Sequence, residues 1–251
     1  MSSEKATAIV LRVIEFSETS SIVTLFTREF GKVRALAKGA RRPKGPFESA
    51  LDLLGLCRIV FLRKSSDALD LLTEAKLERR FRPPGGDLSN LYAAYYVAEL
   101  LNELTDDYDP HPELFDAADE TLAALRSAGG VASQLLRFEL TALRVLGHFP
   151  SLETCVECGK TVESVGRVSF SQLAGGVLCK QCRVGQKSVI AVSAGVLQTL
   201  ARLADPQNES WRRLDLDRRT YGELRAVLNH YWSHLLGHQP RMHRFLGSLV
   251  N

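Results

Sequence analysis

The chain has 251 residues, enough for two or three modest domains, and its 45% hydrophobic and 24% charged residues are ordinary for a soluble globular protein. Its first residues, MSSEKATAIVLRV, lack the basic start and apolar run of a signal peptide, and no apolar run reaches the roughly 18 residues of a membrane span. We therefore expect a cytoplasmic protein with reduced thiols, whose net charge of +3 is too small to indicate a class of partner.

Short β-rich runs fill the first 80 or so residues and are separated by polar or glycine-containing stretches. The predicted strands are 7–14, 21–28, 32–39, 56–62 and 68–77. Their spacing is typical of a small all-β domain, and the loop after the third strand favours a barrel, with the OB-fold as the leading candidate. The stretch FRPPGGD, at 81–87, ends this pattern.

From Asp87 onward, apolar residues recur at helical spacing. Helices are predicted from Asp87, after Pro112, and over 131–147, 193–203, 221–236 and 242–249. We therefore predict an α+β protein with an OB-fold domain at 1–80 and a mainly α-helical domain at 81–251. The helical domain would carry a cysteine-containing insert at about 152–186.

Four of the five cysteines form two CxxC pairs, CVECGK at 155–160 and CKQC at 179–182. In a reducing compartment, this spacing favours one zinc ion bound by four thiolates, which are Cys155, Cys158, Cys179 and Cys182. Such a site has no open position for water, so zinc binding would stabilise the fold. Two disulfides or a redox-active pair fit the compartment or the pattern less well. Cys57, in an apolar run, is predicted to be a buried and unreactive thiol.

The segment GKVRALAKGARRPKGPF, at 31–47, contains six basic residues and no acidic residue. They are Lys32, Arg34, Lys38, Arg41, Arg42 and Lys44. Lys32 and Arg34 share a face of one strand, and the cations together predict a surface that can follow a phosphate backbone. The alternative is a solvated loop. Phe47 is the nearest candidate for stacking on a base, although a core position closing the barrel explains it better.

No motif of an enzyme is evident, since the P-loop, GxGxxG, GxSxG and HExxH patterns are all missing. His230, His234 and His238 have helical spacing, but Gly237 and Pro240 predict that the helix ends before the third histidine. A surface stripe is therefore favoured over a metal site there. We predict that the chain is not an enzyme.

Several stretches resemble, in the right order and along essentially the whole chain, the bacterial recombination mediator family RecO. They are 17–47, RRFRP at 79–83, 135–160, GGVLCKQC at 175–182 and 236–249. The family often has a serine where this chain reads KGPF, and another where it reads RMHRF, so DNA contacts near those positions do not carry over directly.

The resemblance implies an OB-fold, a helical domain with a zinc module, and a non-enzymatic role in homologous recombination repair. Members bind single- and double-stranded DNA, anneal complementary strands, and act with RecR, and often RecF, to load RecA onto DNA covered by single-stranded DNA-binding protein. The resemblance implies a nucleoid-associated protein whose six basic residues contact phosphates. It also makes Arg137 a candidate for binding the acidic tail of single-stranded DNA-binding protein, against the alternative of a packing or surface arginine.

Two other functions remain open from the residues. One is an adaptor whose basic loop docks an acidic protein partner and does not touch DNA. The other is a metal-dependent nuclease that uses the histidine stripe, although the sequence shows no cluster of carboxylates for such chemistry.

Overall fold

The computed structural model describes residues 2–42, 45, 47, 50–64, 68–85, 88–127, 129–247 and 249. The chain forms two compact units, Met1–Ala128 and Gly129–Asn251. The predicted α+β class is confirmed, since strands come first and helices dominate thereafter. The predicted boundary at residue 80 stays a prediction, and two helices share the first unit with the strands.

Five strands at the start of the chain close into a barrel. They are β1 (Ser2–Glu15), β2 (Ser21–Thr27), β3 (Gly31–Ala37), β4 (Leu56–Arg63) and β5 (Asp70–Arg79). Their order is β1-β2-β3-β5-β4, and β4 pairs back with β1. Neighbouring strands are antiparallel except β3 and β5, which run parallel. This closed sheet confirms the predicted small barrel of the OB-fold type.

The alternation of residues along β3 separates the barrel interior from its outer surface. Val33, Ala35 and Ala37 are completely buried among the core side chains. Lys32 and Arg34 alternate with them, so both lie on the outer surface, as the period of two predicts. Cys57 is also fully buried, and burial raises the pKa of its thiol to about 12, which agrees with an unreactive cysteine.

Two helices pack against the barrel within the first unit. They are α1 (Ser89–Leu104) and α2 (Pro112–Ala124). The ring centroid of Phe26 on β2 lies 6.0 Å from that of Phe115 on α2. Next to this contact, Arg28 forms an ion pair with Asp116 at 2.8 Å. Barrel and helices are therefore joined by both apolar and charged contacts.

The segment between α1 and α2 runs against the start of β3. The backbone N–H of Tyr108 donates to the carbonyl of Lys32 at 3.0 Å. At the preceding residue, Gly31, φ is +69°, and an added Cβ would lie 2.0 Å from the carbonyl oxygen of Asp109. A side chain at Gly31 would therefore be excluded both by its backbone conformation and by the lack of space.

The second unit combines helices with a small sheet. Its helices are α3 (Val131–Val145), α4 (Ala194–Ala204), α5 (Arg218–Leu236) and α6 (His243–Leu246), and its strands are β6 (Arg167–Ser171), β7 (Gly176–Leu178) and β8 (Val189–Ser193). The sheet order is β7-β6-β8. These three strands were not predicted, although RVSFS shows a short alternation of polar and apolar residues. Among the described residues, none of the helices combines the length and the hydrophobicity that crossing a bilayer demands.

An ion pair is buried in the second unit between α3 and α5. The guanidinium of Arg225 donates to both carboxylate oxygens of Glu139, at 2.7 and 2.8 Å. The side chains are 6% and 0% exposed, respectively. Because burial removes water from both charges, breaking such a pair by removing one partner is strongly destabilising.

We predict that Arg225→Met lowers the free energy of unfolding of the second unit by about 3–5 kcal/mol, because it leaves the Glu139 carboxylate buried without the guanidinium that neutralises it. Both tryptophans, Trp211 and Trp232, are buried in this unit, so urea unfolding followed by tryptophan fluorescence reports on it. The double variant Glu139→Met/Arg225→Met should recover most of the loss. If the loss of stability in the double variant equals the sum of the losses in the two single variants, the two residues are not coupled and the prediction is wrong.

We predict that Gly31→Ala lowers the free energy of unfolding of the first unit by at least about 2 kcal/mol, since it adds left-handed strain to a collision with Asp109. Gly85→Ala is the matched control, because nothing lies within 4 Å of a Cβ added there. Thermal unfolding followed by circular dichroism, with hydrogen exchange of β3, measures the difference. Equal stability of the two variants would contradict the prediction.

Candidate nucleic-acid interface and metal centre

The four predicted cysteine ligands lie together in the second unit. Their sulfur atoms, from Cys155, Cys158, Cys179 and Cys182, all lie within 4.8 Å of one another. The sulfurs of Cys158 and Cys179 are 3.9 Å apart. A tetrahedron with metal–sulfur bonds of about 2.3 Å has edges of about 3.8 Å, so the spacing fits four-coordinate binding. The cluster can therefore hold a metal ion.

Tight backbone turns position each pair of cysteines. In the first turn, the N–H of Gly159 donates to the carbonyl of Cys155 at 2.8 Å, and φ of Gly159 is +70°. Glycine adopts this left-handed conformation without the steric cost that a side chain would add. In the second turn, the N–H of Arg183 donates to the carbonyl of Cys179 at 3.1 Å.

Strand β7 holds the two turns next to each other. The N–H of Val177 donates to the carbonyl of Ser151 at 2.9 Å, and the N–H of Val156 donates to the carbonyl of Val177 at 3.1 Å. A Cβ at Gly176 would lie 2.5 Å from the Val156 side chain and 2.7 Å from the Ser151 carbonyl oxygen. The absence of a side chain at Gly176 therefore lets the first turn approach the strand that leads into the second.

The thiols influence one another's ionisation. Backbone N–H groups, foremost that of Cys179, lower the pKa of Cys155 to about 6. The N–H of Cys182 lies 3.4 Å from the sulfur of Cys179 and lowers the pKa of that thiol. In contrast, the thiol of Cys182 donates to Cys179, and this raises its own pKa to about 12. Neighbouring thiolates repel, so four ionised ligands require the charge of a bound cation.

Two of the six predicted DNA contacts are engaged within the first unit. The ammonium of Lys32 donates to the carbonyl of Asn102 at 2.8 Å and to that of Thr105, at the C-terminal end of α1. Cations are favourable there because the last carbonyls of a helix carry partial negative charge. Arg34 forms an ion pair with Asp107 at 2.7 Å. These two side chains therefore join β3 to the segment after α1.

The loop after β3 leaves its cations on the surface. Lys38 and Arg42 are exposed, and no side-chain hydrogen bond or ion pair within the described part of the chain engages either. Arg41 donates to the carbonyl of Ser17 at 3.1 Å and pairs with Glu15 at 3.1 Å. We call Lys38, Arg41 and Arg42 the basic loop.

The other two predictions for this segment differ in outcome. Lys44 lies outside the described residues. Phe47 is only 3% exposed and belongs to the barrel core, so its side chain offers no face for base stacking, as the sequence analysis favoured.

Arg137 packs within the second unit. Its guanidinium donates to the carbonyls of Leu203 and Asp205, the latter at 2.8 Å, and lies 5.6 Å from the ring centroid of Trp211. The first of these carbonyls is in the last turn of α4, where a cation is favourable. The packing interpretation of this arginine therefore has direct structural support, and a contact with a protein partner stays a prediction.

One exposed side chain near the basic loop was not predicted. Phe16 directly follows β1 and is 60% exposed, next to the residue whose carbonyl Arg41 binds. The sequence contains an aromatic residue at the start of the polar stretch FSETS, but this pattern is typical of an ordinary strand end and does not predict a functional side chain. Within the described residues, the four cysteines are the group that can hold a metal, and the histidine stripe forms no such group.

Comparisons with known proteins identify the family. The model "Recombination protein O N terminal" matches residues 1–81, and "Recombination protein O C terminal" matches residues 85–244. A protein of Rhodopirellula baltica named "DNA repair protein RecO" is 44% identical, with 95% of this chain and 97% of that protein covered.

Proteins with the same name from other bacteria are also similar over nearly full length. That of Anaeromyxobacter dehalogenans (strain 2CP-C) is 36% identical, covering 98% of this chain and 96% of its own length. That of Halalkalibacterium halodurans is 30% identical, covering 98% and 94%. The resemblance seen in the sequence is thus confirmed: the chain belongs to the RecO family and has a role in recombinational DNA repair.

Proposed function

We propose that the chain is a non-enzymatic recombination mediator that binds single- and double-stranded DNA, anneals complementary strands and, with RecR, helps to load RecA onto single-stranded DNA. RecF and the acidic tail of single-stranded DNA-binding protein are further proposed partners. The observation that carries this proposal is the basic loop, whose exposed cations stand at the surface of an OB-type barrel in a member of the RecO family.

The proposed activity needs charge rather than bond-making chemistry. Two complementary strands repel each other through their phosphates, and a cationic surface lowers this repulsion during their encounter. Each phosphate contact also releases condensed counterions, which makes binding strongly dependent on salt. Lys38 and Arg42 are available for such contacts, since neither is engaged among the described residues.

The internal contacts of the β3 side chains affect which basic residues would be available to contact DNA phosphates. Moving Lys32 to a phosphate would remove its ammonium from the carbonyls at the end of α1, and moving Arg34 would break its pair with Asp107. Arg41 is easier to redirect because its partner Glu15 is 72% exposed, and such surface pairs contribute little stability. We therefore assign the phosphate contacts to the basic loop, together with Lys44, and a supporting role to Lys32 and Arg34.

We predict that the triple variant Lys38→Ala/Arg41→Ala/Arg42→Ala binds DNA more weakly and less salt-dependently. The slope of log K against log salt should decrease by about 0.7 for each lost contact with single strands and about 0.9 for each contact with duplex. Anisotropy of a fluorescent oligonucleotide across a salt series measures both quantities. Unchanged slope and affinity would remove the basic loop from the DNA site.

Two control variants make this experiment specific. Lys5→Ala/Arg58→Ala/Lys76→Ala removes the same charge from exposed residues that line a separate surface cavity on β1, β4 and β5. This variant should keep the steep dependence of DNA affinity on salt. A decrease in slope equal to that of the loop variant would mean that DNA binds to positive charge anywhere on the surface.

The second control is the variant Lys32→Ala/Arg34→Ala. It should be less stable than the wild type but should keep most of the salt dependence of DNA binding. Loss of binding to an acidic peptide with normal DNA affinity in the loop variant would instead indicate an adaptor.

We also propose that the four-cysteine cluster binds one zinc ion with a structural role. Four sulfur donors with tetrahedral spacing suit a soft divalent ion and leave no coordination position for substrate. When bound, zinc would neutralise the repulsion among the thiolates and cross-link the two turns that β7 brings together. Its binding energy would then stabilise the second unit.

We predict that Cys155→Ser or Cys179→Ser reduces the zinc content from about one ion per chain to near zero and lowers the urea midpoint of the second unit. Elemental analysis and tryptophan fluorescence measure the two effects. Cys57→Ala is the control, since Cys57 lies in the barrel core and should leave the zinc content unchanged. A cysteine variant that is free of zinc and as stable as the wild type would refute the structural role.

A further inference from the structure

Phe16 stands out among the aromatic residues. It is the only Phe, Tyr or Trp that is exposed within the described part of the chain, which includes every aromatic residue of the sequence. A single exposed apolar side chain is common on protein surfaces and by itself indicates nothing. Its surroundings therefore decide whether the ring has a role.

The turn that carries Phe16 is held by its own backbone. The N–H groups of Phe16 and Ser17 both donate to the carbonyl of Ser20, at 3.0 and 3.1 Å, and the N–H of Ser20 donates to the hydroxyl of Ser17 at 3.2 Å. Because the backbone is already ordered, a ligand that contacts the ring would not have to order the turn on binding.

The basic loop lies directly against this turn. The guanidinium of Arg41 donates to the carbonyl of Ser17, and the backbone N–H of Arg41 donates to the carbonyl of Thr19, both at 3.1 Å. The exposed Arg42 follows in sequence. An exposed aromatic face and a row of cations are thus joined at one edge of the barrel.

An exposed aromatic ring beside a row of cations is complementary to a single strand of nucleic acid. Its phosphates seek cations, and its unpaired bases present flat apolar faces that stack on aromatic side chains. A duplex offers the same phosphates but keeps its bases stacked inside. The loop between the first two strands is also one of the loops through which OB-folds contact oligonucleotides.

We propose that Phe16 stacks on an unpaired base of single-stranded DNA while the basic loop holds the adjacent phosphates, so that Phe16 favours single strands over duplex. This inference rests on the proposed DNA binding and adds to it the group that recognises the base.

The test compares three substrates: a single-stranded oligonucleotide, its duplex, and an oligomer of the same length that carries abasic sites. Phe16→Ala should weaken binding to the single strand by about 5- to 150-fold, the range for loss of one stacked base. Binding to the duplex and to the abasic oligomer should not change. The salt slope should also stay as in the wild type, because no phosphate contact is lost.

Two substitutions separate stacking from mere apolarity. Phe16→Trp should retain the affinity, and its exposed indole should be quenched by single strands, unlike the buried Trp211 and Trp232. Phe16→Leu should behave like Phe16→Ala, because it keeps apolar surface but has no π face. Leu88→Ala is the matched control, since Leu88 is an exposed apolar residue of the same unit, at the start of α1.

Several outcomes would overturn the proposal. Wild-type affinity of Phe16→Ala or Phe16→Leu for the single strand would show that no base stacks on the ring. Equal losses on the normal and abasic oligomers would mean that Phe16 acts through the fold or the backbone. In either case, steep salt-dependent binding by the wild type would leave the proposed function intact. A wild type that binds no DNA at all would instead overturn the proposed function, and with it this inference.

Discussion

A single strand closes the barrel, and the placement of the candidate interface depends on it. β1 has 14 residues and pairs with β4 along its first part and with β2 along its second part. A shift in register between Val10 and Arg12 accompanies the change of partner, as a bulge allows a strand to bend. Because β1 continues past its pairing with β4, its turn stands at the barrel edge, where the loop after β3 meets it.

The positive charges of the first unit have two different uses. Arg28, Arg34 and Arg79 pair with aspartates of α2 or of the segment before it, and these contacts join the barrel to the two helices. The loop after β3 is where exposed cations gather next to an exposed aromatic ring. The small formal net charge does not reveal the basic surface, because the carboxylates that form internal ion pairs cancel the charge of the exposed cations in the sum.

Local patterns predicted much of this molecule. Alternation along the strands predicted the barrel, helical spacing predicted the helices, and the two CxxC pairs predicted that the four cysteines come together. The same alternation placed Lys32 and Arg34 correctly on the outer face, but it contained no information on what covers that face. Their partners lie about 70 residues further along the chain, at Asn102, Thr105 and Asp107. The strands β6 to β8 were missed because they have only three to five residues each, and because β8 pairs with β6 across the second cysteine turn.

The pair between Arg41 and Glu15 has a consequence for how the proposed interface would release its ligand. The Glu15 carboxylate binds the guanidinium where a phosphate would bind it, and because Glu15 is 72% exposed, this surface pair would cost little to break. When a phosphate departs, the carboxylate can return, so the guanidinium exchanges one anion for another. In the proposed interface, such an internal competitor would weaken the hold on any one segment of DNA, and this would ease the release that the proposed mediator function needs as much as it needs binding.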